Sequence, residues 1–242
     1  MTNLSGTERA RYVQNMFTQI AGRYDLMNRL MTGGQDVRWR RQVIQLASLP
    51  PGGQLLDLGT GTGDLAREAL RQVPTVQVTA ADFTLEMMRV GRAHPDPTLP
   101  EQAQVIWCNA DATCLPFPDQ AYDAVVSGFL LRNVIDLPKA LAEQLRILRP
   151  GGRFVALDTT PPPKNLLAPF IRIHLHTVIP TLGRLITGQA EAYTYLPDST
   201  ESFLPPEKLS AALREAGFEQ VNYKRLMFGT IAIYWAVRPL TA

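Results

Sequence analysis

Between residues 7 and 20 the apolar side chains Val13, Met16, Phe17 and Ile20 fall at i, i+3, i+4 and i+7, one face of a helix. The next stretch, 22–31, mixes apolar and hydrogen-bonding groups. Trp39, Val43, Ile44 and Ala47 then mark another amphipathic helix, stopped by Pro50-Pro51-Gly52-Gly53. After this the period changes. Short apolar runs at 55–58, 76–81, 104–108, 122–128 and 153–158 alternate with helical patterns at 65–73, from Leu85, and through Leu137, Leu141, Leu145 and Leu148. Unbroken apolar runs of this length suit strands buried on both faces, as in a parallel sheet with helical crossovers. Pro150-Gly151-Gly152 should end the helix before the fifth strand, since proline cannot continue it and glycine supplies a left-handed cap. A last helix runs from Pro206 to its stop at Gly217. Two β-rich runs, 220–227 and 230–237, follow as an antiparallel pair joined through Phe228-Gly229.

The segment 161–188 fits neither a core strand nor a membrane span. It is apolar but interrupted by Pro169, Arg172, His174, His176 and Pro180, which suits amphipathic helices covering a site; plain structural helices are the alternative. The pattern as a whole predicts an α/β fold, a three-layer doubly wound sheet of seven mostly parallel strands with an antiparallel last strand. One domain spans 1–242, with residues 1–50 as an N-terminal helical lid and 161–200 as an inserted helical cover.

The chemistry centres on residues 55–66. An apolar strand ends in Gly59, Gly61 and Gly63, and a helix begins at once. Glycines permit a tight turn and close approach of a ligand to the backbone, and the helix start offers free N–H groups. The dinucleotide fingerprint G-x-G-x-x-G fails here, because Asp64 stands where its third glycine belongs. That counts against a nicotinamide oxidoreductase; a merely structural glycine turn is the other alternative. Asp82, 19 residues past Gly63, lies at the tip of the second strand, where a carboxylate can accept both ribose hydroxyls or cap the helix near Leu85.

Composition narrows the classes. The 24 Lys+Arg against 22 Asp+Glu give no polyanion-binding signal, so no nucleic-acid partner is expected. Seven arginines within residues 1–41, against Glu8, Asp25 and Asp36, form either solvated surface or a weak attraction to anionic lipid headgroups. Cys108 and Cys114 give no zinc spacing and read as buried, reduced thiols. With no signal-peptide pattern and no apolar stretch of the ~18 residues a spanning helix needs, the expectation is a cytoplasmic protein, soluble or peripheral at the inner face of the membrane.

Asp57 followed by G-x-G-x-G resembles motif I of the class I S-adenosylmethionine-dependent methyltransferases. The resemblance implies that Asp57 faces the ligand's ammonium group, that the backbone at Gly59, Gly61 and Gly63 passes along its methionine and ribose portions, and that Asp111 holds the adenine amino group. More specific stretches are Tyr24-Asp25-Leu26-Met27-Asn28, Leu115-Pro116-Phe117-Pro118, Leu131-Arg132-Asn133-Val134 and Leu148-Arg149-Pro150-Gly151-Gly152. Together they are similar to the ubiquinone/menaquinone biosynthesis C-methyltransferases over nearly the whole chain. By position, Thr62, Asp82, Phe83, Asp111, Ala112, Ser127 and Gly128 are then cofactor contacts, and Arg132, Asn133 and Tyr24 the substrate and catalytic group. Two departures fall near the expected substrate pocket: Phe129-Leu130-Leu131-Arg132-Asn133 where the family usually has Phe-Gly-(Ile/Leu)-Arg-Asn, and Asp158-Thr159-Thr160-Pro161-Pro162 where it commonly has Glu-Phe-Ser-x-Pro.

The implied activity is C-methylation of a reduced prenylated quinone, demethylmenaquinol to menaquinol, with S-adenosylmethionine as donor and no metal. Other quinols of the ubiquinone or phylloquinone pathways, or an unrelated aromatic or lipid acceptor, are the alternatives. The implied partners are the prenylated quinol and a transient membrane surface, with a homodimer left open. Arg132 would stabilise an oxyanion while Asn133 and Tyr24 orient the ring or relay a proton; Arg-Asn after a strand also reads as a helix cap and salt bridge. A nucleic-acid methyltransferase would show an Asn-Pro-Pro-Tyr type motif after strand four, where this chain has Ser127-Gly128-Phe129-Leu130.

Overall fold

The computed structural model describes residues 6–99, 103–163, 166, 168–187 and 190–240. Three helices come first: α1 (Gly6–Ile20), α2 (Tyr24–Thr32) and α3 (Gln35–Ala47). Strands and helices then alternate through β1 (Gln54–Leu58), α4 (Asp64–Gln72), β2 (Gln77–Asp82), α5 (Leu85–Ala93), β3 (Val105–Asn109), β4 (Tyr122–Gly128), α6 (Leu137–Ile147) and β5 (Leu148–Thr159). The segment after β5 is helical, as α7 (Ala168–Ile173), a π-helical stretch (His174–Val178), α8 (Ile179–Thr187) and α9 (Ala190–Ser202). The chain closes with α10 (Pro206–Glu215), β6 (Glu219–Leu226) and β7 (Ile231–Val237).

The strands form one seven-stranded sheet in the order β3-β2-β1-β4-β5-β7-β6, with β7 antiparallel to both neighbours. The order reverses between β1 and β4. In an open α/β sheet that switch point opens a crevice beyond the strands' carboxyl ends. Alternation along β1 shows the three layers: Leu56 and Leu58 join the core with Leu141, Phe154 and Tyr234, whereas Leu55 joins Trp39, Leu70, Val126 and Val155 on the other face. A third apolar cluster lies apart from the sheet, where Met16, Ile20 and Met27 of α1 and α2 meet Ile171, Leu175 and Ile179 of the segment after β5.

Three expectations are corrected. Pro150-Gly151-Gly152 does not cap α6, which already ends at Ile147; it bulges out within β5, where Tyr122 pairs with Leu148 but Ala124 pairs with Arg153. Gly151 N–H donates to the Arg238 carbonyl (3.0 Å) and Arg238 N–H to that of Gly152 (2.9 Å), so the bulge is bonded to the chain's end rather than left as a cap. Cys114 is exposed and Cys108 only partly covered, so the thiols are not core groups. The arginine cluster also divides. Arg40 is buried and, with Arg29, pairs with the fully buried Asp36, leaving Arg38 and Arg41 on a surface groove.

Candidate active site

The turn after β1 is held from behind. Gly59, Gly61 and Gly63 all have positive φ (68°, 57° and 92°), a region closed to most side chains. The N–H groups of Gly59 and Thr60 donate to the Ala81 carbonyl at 2.7 and 3.0 Å, tying the turn to β2. Asp57 is fully buried beneath it, and its Oδ2 accepts from Thr60 Oγ1 (2.6 Å) and from Ala66 N–H in the first turn of α4 (3.0 Å). Expected to face a ligand, Asp57 instead fixes the turn and lies outside the cleft wall. Burial pushes its carboxyl up to about 7, against the lowering effect of the Thr60 and Ala66 hydrogen bonds. Asp64, the residue that spoils the dinucleotide fingerprint, lies 3.2 Å from Arg40 and 3.7 Å from Arg29, so it anchors the N-terminal helices to α4. Thr62 Oγ1 adds a second tie by donating to Asp25 Oδ1 on α2 (2.7 Å).

In front of the turn lies a cleft at the carboxyl ends of β1, β2 and β4. Of the residues expected to contact the cofactor, Gly59, Gly61, Asp82, Phe83, Asp111, Ala112 and Gly128 line it. Thr62, Gly63 and Ser127 lie behind its wall, as does Asp57; Thr62 and Ser127 are buried, and Gly63 backs onto the Trp107 ring. Asp82 is fixed by backbone donors on both sides. Its Oδ2 accepts from Gly61 N–H (2.8 Å) and its Oδ1 from Thr84 N–H at the start of α5 (2.7 Å), while the carboxylate still borders the cleft. Desolvation raises its pKa, and the backbone N–H groups oppose the shift. Asp111 Oδ1 is set by Thr113, through both N–H and hydroxyl at 2.8 Å.

This cradle fits an adenosylated amino acid. A Cβ at Gly59 would sit 2.8 Å from Leu130, so a bare backbone is required there. Asp82 suits a ribose diol, and Asp111 suits an exocyclic amine. The opposite wall belongs to the N-terminal stretch read above as a lid. It comes from α1, through Val13, Gln14 and Phe17, with Gln14 Nε2 donating to the Phe83 carbonyl (3.0 Å). The apolar stripe of α1 predicted a buried face, but its facing surface is distant in sequence.

Of the three residues expected to act on the acceptor, two line this cleft and one does not. Tyr24 and Asn133 line the cleft. Desolvation raises the Tyr24 phenol above its ordinary range, opposed by the neighbouring Asn28 amide and by the charges of Arg132 and Arg40. Asn133 is fixed by donating to the Phe129 carbonyl (3.1 Å) and accepting from Tyr195 (3.2 Å). Arg132 instead lines a second and mainly apolar cavity under the segment after β5. It forms a buried ion pair with Asp158 at 2.7 Å, and the same guanidinium nitrogen donates to the Phe129 carbonyl.

Phe129 separates the two spaces and lines both. Its φ is +61°, unusual for an aromatic residue, and its N–H donates to the Leu157 carbonyl at 2.6 Å. The Arg132 guanidinium lies 5.4 Å from its ring centre. Strain held at such a position by surrounding structure is a mark of a functional site, and no pattern in the sequence announces it.

A sheet in this order, with a glycine turn at its switch point and carboxylates at successive strand tips, defines the class I methyltransferases. Solved structures agree at the level of fold. The cyclase SpnF aligns with a TM-score of 0.70 and 18% identity over 98% of each chain. A SAM-dependent methyltransferase from Aquifex aeolicus gives 0.58 and 18%, over 82% of this chain and 88% of that one. Sequence goes further: a profile of the ubiE/COQ5 methyltransferase family matches residues 4–238, and the chain belongs to that family. It is 48% identical to the ubiquinone/menaquinone biosynthesis C-methyltransferase UbiE of Desulfotalea psychrophila, over 93% of this chain and 90% of that protein. Against the demethylmenaquinone methyltransferase of Thermus thermophilus it is 45% identical, over 93% of this chain and the whole of the other. The chain is an S-adenosylmethionine-dependent methyltransferase.

Proposed function

We propose that the acceptor is a reduced prenylated quinone methylated on a ring carbon, with demethylmenaquinol as the substrate. The observation that carries this is the mainly apolar cavity beside the cofactor cleft, which shares Phe129 with that cleft and is bordered by the cationic Arg132. An isoprenoid tail suits such a space, and the ring would then lie near Phe129, Tyr24 and Asn133. The names carried by the relatives above support the same class.

When bound, S-adenosylmethionine supplies an electrophilic methyl group. The chain's own residues prepare the nucleophilic carbon. Ring carbon gains electron density as a quinol hydroxyl loses its proton, and Arg132, permanently cationic and held by Asp158, favours the resulting oxyanion. Tyr24, kept protonated by its desolvated setting, can donate to the same oxygen or pass a proton through water. Opposite charges neutralise each other as the methyl moves, so the water-poor walls formed by α1 and the segment after β5 favour the step.

Transient contact with a membrane surface belongs to the same proposal. Phe170 and Phe228 line the second cavity yet are 70% and 73% exposed, so they sit at its rim. No helix among the described residues is long and apolar enough to cross a membrane. The substrate is tested by incubating the protein and labelled S-adenosylmethionine with a prenylated naphthoquinol, a prenylated benzoquinol and a simple phenol, each held reduced. Label should enter the naphthoquinol most rapidly; transfer to the phenol alone would overturn the proposal.

A further inference from the structure

The second cavity is apolar in its walls but not uniformly so. Ten buried side-chain N or O atoms among the described residues have no hydrogen-bond partner, and four belong to residues that line this one space: Asn28 Nδ2, Arg132 Nε, Thr159 Oγ1 and His174 Nε2. A buried polar atom left unpaired costs about 1–3 kcal/mol. A purely hydrocarbon occupant would leave all four unmet. A ligand with a few polar atoms and a long apolar remainder would satisfy them.

The four atoms are distributed in a useful way. Asn28 and Arg132 also line a small cavity shared with Tyr24, which itself reaches the cofactor cleft. His174 and Thr159 line only the larger space. One polar pair therefore connects to the methyl-donor side, and the other belongs to the space that would hold the tail.

His174 owes its setting to an irregular turn. Pro180 has no N–H with which to continue the α-helical ladder, and the Ile179 N–H bonds back five residues to the His174 carbonyl, widening the helix. Such π-helical turns recur at functional sites. His176, two residues on, points elsewhere: its Nε2 lies 3.0 Å from Glu201 Oε1 on α9, an exposed pair that fastens neighbouring helices. Of two histidines in one turn, His176 has a protein partner, and His174, which lines the cavity, has none for its Nε2.

We infer that this cavity binds the acceptor through both ends of a 1,4-dioxygenated ring, and that His174 Nε2 is the hydrogen-bond partner of the oxygen beside the tail. Arg132 and Asn28 take the oxygen nearer the methyl donor, and Thr159 supports the His174 end. The inference rests on the quinol reading above. It adds a residue from the segment after β5, outside the Tyr24, Arg132 and Asn133 group, that determines acceptor specificity.

The test uses the full chain and a naphthoquinol with a two-isoprene tail, kept reduced by dithionite. His174→Phe should raise the acceptor KM and equilibrium Kd at least 5-fold, the low end for a lost buried hydrogen bond. Affinity for S-adenosylmethionine should stay within about twofold, since that cleft is separate. His174→Gln, which restores a polar nitrogen, should recover most of the loss, and His176→Gln should leave the acceptor KM unchanged. Thr159→Val, close in volume, should raise KM in the same sense and carries the test if the Phe variant misfolds. If wild type binds and methylates the naphthoquinol while His174→Phe and Thr159→Val behave as wild type, the inference falls and the quinol reading stands. If wild type neither binds nor methylates the probe, both fall.

Discussion

Asp57 shows how a single fully buried side chain can hold the backbone of a site in place. Both interactions of its Oδ2 are internal, and Oδ1 has no partner among the described residues. Its pKa of about 7 lies above the ordinary aspartate value of about 3.9. The folded protein therefore retains a proton that the unfolded chain releases between these values. With fewer protons bound in the unfolded state, stability falls as pH rises through that window, by up to about 1.4 kcal/mol per pH unit. Asp25 and Asp82 shift in the same direction. Asp57→Asn removes this one group's share and keeps an oxygen for Thr60 and Ala66. Urea titrations from pH 4 to 7 should give a shallower decline for the variant; an unchanged slope would show that Asp57 titrates normally.

Among elements, the approach of α5 to the glycine turn sets the cradle's shape. Gly91 lies in the last turn of α5, and a Cβ there would stand 2.4 Å from the Thr62 carbonyl oxygen and 2.7 Å from the Trp107 ring. Arg67 bonds both sides of the contact, to the carbonyls of Thr62 and Gly91 at 2.7 Å each. Backbone cannot yield as a flexible side chain does, so Gly91→Ala should destabilise the fold by about 1–3 kcal/mol. It should also weaken S-adenosylmethionine binding, because the turn moves with the helix. Thermal unfolding and calorimetry check the pair, and an unshifted Tm would refute the tight contact. Nothing in the sequence marks Gly91, since one glycine in a helical run does not reveal what lies across from it. The strands were legible because their apolar runs are long enough to bury both faces. The glycine turn and Asp82 were legible from their places at strand ends, and the position of Asp111 came from the family resemblance. Where Asp57 and Arg132 point was not legible, because alternation assigns a face but not a partner. The Pro150-Gly151-Gly152 bulge was missed for a similar reason: its hydrogen bonds go to Arg238, 86 residues beyond Gly152.

For the whole molecule, the proposed acceptor cavity is assembled from segments far apart in sequence. The walls come from α2, the ends of β4 and β5, the segment after β5 and the β6–β7 turn, a set no local pattern could have joined. At the rim, Met227 and Phe228 hold φ values of +45° and +54°, left-handed conformations that cost non-glycine residues about 1–3 kcal/mol each. The result is an aromatic ring presented to the outside. Phe170 across the opening, together with Ile173 and Leu166, extends an apolar surface that water disfavours and a bilayer would receive. Replacing both rim aromatics, Phe170→Ser with Phe228→Ser, should therefore separate delivery from chemistry. Turnover of a long-tailed quinol carried in anionic lipid vesicles should fall at least 5-fold, since burying one such side chain contributes roughly 1.5–3 kcal/mol. Turnover of a short-tailed quinol in detergent should change far less, as the acceptor then reaches the cavity without a membrane. Vesicle flotation provides the independent readout, with the double variant recovered less in the lipid fraction than wild type. Equal flotation and equal vesicle turnover would mean that the exposed aromatics do not meet the membrane, and that the tail enters by another route.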